Sequence, residues 1–252
     1  MGNILKRAVI AGMLSAITVA TVAGLSLEPL TRVFGTEPAA RIHTYRVTNT
    51  QDREIAVRIR MTTRTHGADG VESRADASDQ WLVFPSRMSL SPGRSQAVRV
   101  QYTGPGGIEQ EQAFRIIAEQ LPVDISEGDR RTAINVLFRY EGSVYVRTGR
   151  FAPDVILAAA DRQFLDGRFQ GIRVRFENRG RTHGILHDLT LRVRRLDEAG
   201  TVLEEVIFRE EDLPVLGGRN ILAGHSLEEN LPLPESWSRG VFDVQYDVDL
   251  LD

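Results

Sequence analysis

The 252-residue sequence contains no cysteine, which removes several kinds of site from consideration. Without a thiol there is no cysteine nucleophile, no cysteine-ligated zinc and no iron–sulfur cluster. A disulfide is excluded as well, so packing alone must hold the fold together. A strong positive charge is also missing, since 31 Lys and Arg stand against 34 Asp and Glu. Proteins that bind nucleic acid usually carry a basic surface, so we expect no nucleic-acid partner.

Motifs for catalysis and nucleotide binding are missing too. No serine lies in a G-x-S-x-G turn, and no G-x-x-x-x-G-K-[ST] loop is present. His183 and His187 are four residues apart, which is a spacing of metal ligands on a helix, but Gly184 between them argues against a helix. We therefore expect no catalytic residues, no metal or other cofactor, and no small-molecule substrate.

One long apolar run is present, at the N-terminus. Lys6 and Arg7 precede the uncharged residues 8–22, and small residues follow. This order is typical of a secretory signal peptide. The run is short for a transmembrane helix, which needs about 20 apolar residues. We predict a signal peptide at residues 1–24 and export of the mature protein; an uncleaved N-terminal anchor is the alternative.

The rest of the chain has the two-residue period of β-strands. In residues 54–61, Ile55, Val57 and Ile59 fall on one face and charged Arg58 and Arg60 on the other. Further strand-like runs lie at 42–47, 97–102, 171–177 and 241–250. Turn signals separate such runs about every ten residues, a spacing that suggests β-sandwiches.

A stretch with glycine and proline, residues 148–153, divides the mature chain into two blocks of similar size. We interpret this stretch as a joint between domains. The predicted organisation is all-β: an N-terminal immunoglobulin-like domain at 25–149 and a C-terminal β-sandwich domain at 150–252. Each block has the size of one immunoglobulin-like sandwich.

The segment 81–122 has a specific order of features. It begins W-L-V-F-P, continues through an L-S-P-G turn and the alternating strand A-V-R-V, and ends with F-R-I-I-A-E-Q-L-P. This order resembles the first domain of the PapD-like periplasmic pilus-assembly chaperones. The resemblance extends over nearly the whole mature chain and is most specific from 85 to 147. It implies two immunoglobulin-like sandwiches in an L shape and a periplasmic location.

The resemblance also implies partners. Members of this family bind pilin (fimbrial) subunits that lack a final strand, lend them a β-strand, and deliver them to an outer-membrane usher. Strand addition of this kind gains affinity from main-chain hydrogen bonds and specificity from alternate side chains. The alternative function is an exported structural β-sandwich protein, such as a pilus subunit or adhesin.

The donor strand implied by the resemblance is 132–140. Ile134, Val136 and Phe138 recur there with period two, and burying such side chains contributes roughly 1.5–3 kcal/mol each. From the residues alone, a place in the core of the first domain is favoured for these three, as in any final strand, and it is the resemblance that favours the donor role. Whether the free protein caps this strand by forming a dimer stays open.

Two basic residues that grip the carboxyl terminus of the subunit are a further implication of the resemblance. Arg32 falls at the first basic position of the family. Ser143 falls at the second, where the family has lysine, so we predict that Arg139 supplies the second charge from four residues earlier. Gly142 predicts a β-bulge that re-aims its neighbours.

Overall fold

The computed structural model describes residues 24–122 and 136–251. Within these ranges the regular structure is β-strand, with three short 3-10 helices at Pro38–Arg41, Glu210–Asp212 and Glu235–Trp237. The described residues contain no helix with the length and hydropathy needed to cross a membrane. The predicted signal peptide lies outside the described residues, apart from Gly24.

The N-terminal sandwich packs two sheets, in the strand orders β1-β3-β9-β7 and β2-β11-β10-β4-β8, and β5 and β6 form a separate hairpin. The alternation predicted for 54–61 is confirmed, because Ile55, Val57 and Ile59 are all buried. The strands are β1 (Leu25–Glu28), β2 (Thr31–Phe34), β3 (Ile42–Asn49), β4 (Ile55–Thr63), β5 (Thr65–His66), β6 (Glu72–Ser73), β7 (Trp81–Phe84), β8 (Arg87–Leu90), β9 (Ser95–Tyr102), β10 (Gln112–Leu121) and β11 (Arg139–Val146).

The C-terminal sandwich packs the sheet β12-β13-β17 against a sheet in which β14 pairs with β15, β16 and β18. Its buried core residues lie between Val155 and Trp237, whereas those of the first sandwich lie between Leu25 and Val146. The predicted fold class of two β-sandwiches is confirmed. The strands are β12 (Val155–Leu165), β13 (Arg168–Asn178), β14 (Gly184–Leu196), β15 (Val202–Arg209), β16 (Asn220–Ile221), β17 (Ser226–Pro232) and β18 (Val241–Leu251).

Buried hydrogen bonds between Glu111 and His183 join the two sandwiches. His183 donates its backbone N–H to Glu111 Oε1 at 3.0 Å, and His183 Nδ1 lies 2.6 Å from the same oxygen. The His183 ring stacks on Tyr145 of β11, with centroids 3.9 Å apart. The histidine that we weighed as a metal ligand is therefore part of the joint, directly behind the last strand of the first sandwich.

The β5–β6 hairpin forms a second bridge between the sandwiches. Leu222 donates its N–H to His66 Nε2 at 3.2 Å, and Glu228 donates its N–H to the carbonyl of Ala68 at 2.7 Å. The two bridges are separate in sequence and engage different parts of the C-terminal sandwich. Together they fix how residues of both sandwiches meet beside β11.

Gly142 allows neighbouring strands of the sandwich to approach closely, and it does not form a bulge. The register of β11 against β10 runs from Arg139 to Val146 without a shift, so the predicted bulge is wrong. A Cβ at Gly142 would lie 2.8 Å from Ile116 Cγ2 and 3.0 Å from the carbonyl oxygen of Leu30.

We expect Gly142→Ala to lower the free energy of unfolding by about 1–3 kcal/mol, because overpacking forces neighbouring strands apart. Gly107→Ala is the control, since a Cβ there meets no atom within 4 Å. Urea unfolding of both variants measures the difference. Equal stabilities would contradict the close-packing explanation.

Candidate functional site

The last strand of the first sandwich is paired along only part of its outer edge. On one side β10 accompanies β11 over its whole length. On the other side β2 runs parallel to it from Ser143 to Val146. In the part of the chain that the structure describes, no strand pairs with the outer edge of residues 139–142. Such an edge is a template for another strand.

The hydrogen-bond pattern shows which backbone groups face outward. Gln120 donates its N–H to the carbonyl of Phe138, and Ser143 donates its N–H outward to the carbonyl of Leu30. In an antiparallel pair, the backbone groups of successive residues point alternately towards the partner strand and away from it. The backbone N–H and C=O groups of even-numbered residues in β11 therefore bond to β10, and those of odd-numbered residues face the other side. The N–H and C=O groups of Arg139 and Glu141 therefore face the open edge.

Exposed apolar side chains lead into this edge. Val144 is fully buried, and Phe138, on the same face of the strand, is half-buried against the core. Val136 no longer reaches the core and is 52% exposed, beside the exposed Leu137. The apolar face of the strand thus extends past the end of its own sandwich. The predicted donor residue Ile134 lies outside the described residues.

A cavity of about 270 Å³ lies beside β11 at the domain joint. Thr31 of β2 and Ser143 of β11 are paired in the sheet, and both line the cavity. Tyr145 and Arg147 continue the same face of β11, and Arg64 adds a second guanidinium. The cavity is therefore lined by hydroxyl groups and two cations, next to the open strand edge.

Two cavity hydroxyls accept hydrogen bonds from cations and keep their own protons to donate. Arg115 Nη1 donates to Ser143 Oγ at 2.6 Å. Arg64 Nη1 and Asn220 Nδ2 donate to the Tyr145 hydroxyl at 3.0 and 2.8 Å. A hydroxyl has one proton to give and can accept from other groups at the same time. Both O–H groups are thus suited to donate to an incoming carboxylate oxygen.

Glu72 of the hairpin holds these cations in place. It lies 2.6 Å from Arg115 Nη2, 2.6 Å from Arg74 Nε and 3.0 Å from Arg64 Nε. Burial would raise the pKa of Glu72, but hydrogen bonds and charges from these arginines lower it from 4.5 to about 2. The pairing therefore contributes fully above about pH 4.5 and is lost only as the pH falls towards 2.

The structure places the two predicted anchor residues apart from the cavity lining. Arg139 is 46% exposed and pairs with Glu141 at 2.9 Å. Arg32 is the sheet partner of Val144, one residue on from Thr31, and so lies on the opposite face of β2 from the cavity. Its Nε is buried and has no hydrogen-bond partner among the described residues.

Sequence reasoning missed Arg64 and Arg115. Arg115 is the sheet partner of Ser143, and its guanidinium donates to the Ser143 hydroxyl from the neighbouring strand. This proximity was visible only once the β10–β11 register was known.

The hairpin bridge contains a histidine with a lowered pKa. His66 Nε2 accepts the Leu222 N–H, so this nitrogen carries no proton, and Nδ1 lies 3.0 Å from the carbonyl of Gly67. Burial lowers the pKa of His66 below 6.5, the hydrogen bond to Gly67 opposes this, and the charges of His225 and Arg64 lower it further. A lowered histidine pKa means that the folded state binds fewer protons than the unfolded chain.

We expect the protein to lose stability as the pH falls below about 6.5, with part of the loss due to His66. His66→Gln can still accept the Leu222 N–H but cannot titrate, so its stability should depend less on pH between 6.5 and 5. His187→Gln, at an exposed histidine, is the control. Denaturant unfolding at several pH values measures the slopes. A slope unchanged by His66→Gln would contradict the assignment.

Comparison with known proteins identifies related sequences and folds. Residues 26–147 match the family model described as the pili and flagellar-assembly chaperone, PapD N-terminal domain. A sequence comparison with the curated proteins gives no significant match.

Several solved structures share the fold over both sandwiches. The E. coli chaperone DraB is 17% identical, with a TM-score of 0.50, and the match covers 84% of this chain and 86% of DraB. A chain of the CsuC–CsuE chaperone–tip adhesion subunit complex of Acinetobacter baumannii is 10% identical, with a TM-score of 0.53 and coverage of 83% and 91%. A chain of the SafA pilin–SafB chaperone complex of Salmonella enterica is 14% identical, with a TM-score of 0.50 and coverage of 84% and 86%. At these identities the likeness concerns the fold.

Proposed function

We propose that the chain, whose residues 26–147 match the PapD-type family of pilus-assembly chaperones, acts by donating β11 and the residues before it to an incomplete pilus subunit. The donated strand extends the subunit's sheet, and its apolar side chains fill the subunit's open groove. The observation that carries this proposal is a strand edge at residues 139–142 that no other strand of the described ranges pairs with, preceded by exposed apolar residues.

The apolar side chains just before β11 are available to a partner because they are not buried in the core of their own domain. Val136 and Leu137 are 52% and 45% exposed, so neither contributes a full side chain to the N-terminal core. Burying a side chain of this size in a subunit groove contributes roughly 1.5–3 kcal/mol. Main-chain hydrogen bonds at Arg139 and Glu141 would continue the pairing along the edge. The predicted donor residue Ile134 would extend the same face.

A carboxylate anchor in the cavity beside β11 would fix the register of the bound subunit. The Ser143 and Tyr145 hydroxyls, backed by Arg115 and Arg64, offer donors to a C-terminal carboxylate, and Arg147 lines the same space. Hydrogen bonds to a charged acceptor are stronger than neutral ones and depend on geometry. A fixed end prevents a one-residue slip, which would present the wrong face of the donor strand. Arg32, at the first basic position of the family, and Arg139, as a substitute for the lysine expected at Ser143, remain the anchors predicted from the sequence.

The proposal places the protein in the periplasm as a non-enzymatic chaperone that passes its subunit to an outer-membrane usher. If the protein is instead an exported structural protein, such as a fibre subunit, the open edge of β11 would hold its partner permanently. A second copy of this chain capping the edge would give a dimer that dissociates when a subunit is added.

Hydrogen exchange at single residues tests strand donation. In the free protein the amides of Tyr140 and Gly142 face β10, whereas those of Arg139 and Glu141 face the open edge. On binding a pilin-type subunit we expect Arg139 and Glu141 to become protected by a factor of at least ten. Tyr140 and Gly142 should change little.

The edge of β7 serves as the internal control for this experiment, because it is a second sheet edge of the same sandwich. Binding that protects β7 and leaves Arg139 and Glu141 unchanged would show that the subunit uses another surface. Binding that protects neither edge would exclude strand addition altogether.

A further inference from the structure

A second, smaller cavity lies under the β5–β6 hairpin, between the two sandwiches. Its volume is about 120 Å³. Arg64, Arg115 and Glu72 line it from the N-terminal sandwich, and Arg219 lines it from the C-terminal sandwich. Three guanidinium groups and one carboxylate thus line the cavity, so its lining carries an excess of two positive charges.

Each oxygen of the Glu72 carboxylate in this cavity already accepts two hydrogen bonds from arginines. Glu72 Oε1 accepts from Arg74 Nε at 2.6 Å and from Arg115 Nε at 3.1 Å. Glu72 Oε2 accepts from Arg115 Nη2 at 2.6 Å and from Arg64 Nε at 3.0 Å. Both oxygens therefore point to the arginines of their own sandwich, and Glu72 does not neutralise Arg219.

Two guanidinium groups keep donors available. Arg64 uses Nε for Glu72 and Nη1 for Tyr145, which leaves the two protons of Nη2. Arg219 forms no ion pair with any residue in the ranges 24–122 and 136–251. A Cβ at Gly70 would lie 3.9 Å from Arg219 Nη2, so this guanidinium lies close under the hairpin. Planar guanidinium forks match oxyanions well.

We infer that this cavity binds a small inorganic oxyanion of the phosphate or sulfate type, held by Arg64 from one sandwich and Arg219 from the other. The volume of about 120 Å³ is well above the roughly 10–15 Å³ that a cavity needs to hold one water molecule, so a single tetrahedral anion can enter. This cavity adjoins the one beside β11 and shares Arg64 and Asn220 with it, whereas Arg219 and Glu72 line the space under the hairpin and not the cavity beside β11.

Such an anion would strengthen the joint between the sandwiches. The site is complete only when Arg64 and Arg219 face each other, and a ligand that binds only the folded, joined state stabilises that state by mass action. The anion would also offset the positive charge that the two arginines concentrate at the joint.

Calorimetric titration of the full mature chain with sodium phosphate, at an ionic strength held constant with sodium chloride, tests this inference. We expect saturable binding of phosphate and sulfate and a rise in the melting temperature that chloride does not produce. Arg219→Gln should weaken phosphate binding about tenfold, through the loss of a charge-assisted contact. Arg239→Gln is the matched control, because this exposed arginine lies at the opposite end of the C-terminal sandwich, near the start of β18.

Titration with acetate tests whether the cavity prefers tetrahedral oxyanions. Acetate should bind more weakly than phosphate if the guanidinium groups of Arg64 and Arg219 both hold the anion. A phosphate effect no larger than that of chloride would overturn the inference. Binding that Arg219→Gln leaves unchanged, or that Arg239→Gln weakens equally, would also overturn it. None of these results depends on subunit binding.

Discussion

Val136→Asp is expected to weaken the binding of a pilus subunit at least a hundredfold while the free protein stays as stable as the wild type. The side chain is 52% exposed in the free protein, so the substitution removes little from its own core. In a subunit groove the same position would lose about 1.5–3 kcal/mol of apolar burial and would also bury an unpaired carboxylate. Together these losses exceed the roughly 2.7 kcal/mol that correspond to a hundredfold change in affinity.

Val136 is the cleaner of the two described donor positions. Phe138→Asp should abolish binding too, but Phe138 packs partly against the N-terminal core, so that variant should also unfold more easily. Leu203→Asp is the matched control, since Leu203 is 50% exposed and lies on β15 of the other sandwich.

Co-purification and calorimetry with a purified subunit, together with thermal melting of each free variant, give the required comparison. Undiminished binding by a folded Val136→Asp protein would remove this residue from the donor strand. Equal losses in Val136→Asp and Leu203→Asp would indicate a general effect of added negative charge instead.

The β-architecture was predictable because its signal is local. The two-residue period of Ile55, Val57 and Ile59 fixes both the strand and its buried face. The same period carries Val136 and Phe138 along one face of the last strand. The two-residue period does not show where along the strand the core ends, because the end of the core depends on the length of the opposing sheet. Exposure of Val136 therefore became visible only in the folded chain.

The cavity could not be predicted because its contacts cross long stretches of sequence. Arg64 and Tyr145 are 81 residues apart, and Arg115 and Ser143 are 28 apart. Pattern matching assigned the family's first basic position to Arg32, yet its neighbour Thr31 is the residue paired with Ser143 at the cavity. Neighbouring residues of a strand point to opposite faces, so the sequence could not show that Thr31, and not Arg32, lines this cavity.

A subunit peptide with a free C-terminal carboxylate is expected to bind at least tenfold more tightly than the same peptide with a C-terminal amide. The cavity offers the Ser143 and Tyr145 hydroxyls, backed by Arg115 and Arg64, and a charged acceptor strengthens each such hydrogen bond. The double variant Ser143→Ala/Tyr145→Phe should bring the ratio of the two affinities close to one, because hydrogen bonds to charged groups contribute about 1.5–3 kcal/mol each.

The ratio of affinities for the two peptides, measured by calorimetry, isolates the anchor from general damage, since both peptides meet the same protein. Removing the Tyr145 hydroxyl takes away the acceptor of Arg64 Nη1 and Asn220 Nδ2 and should lower stability, but this loss affects both peptides alike. Ser95→Ala/Tyr246→Phe is the matched control at half-exposed or exposed hydroxyls away from the cavity. A wild-type ratio near one would mean that no carboxylate is anchored.

Arg32→Gln and Arg139→Gln decide between the two possible anchors. If the cavity holds the carboxylate, neither variant should change the ratio by more than about twofold, because Arg32 faces away from the cavity and Arg139 pairs with Glu141. A ratio that Arg32→Gln abolishes and Ser143→Ala/Tyr145→Phe preserves would place the anchor where the family pattern predicts it. The buried Arg32 Nε, which has no partner among the described residues, would then be the donor that the carboxylate satisfies.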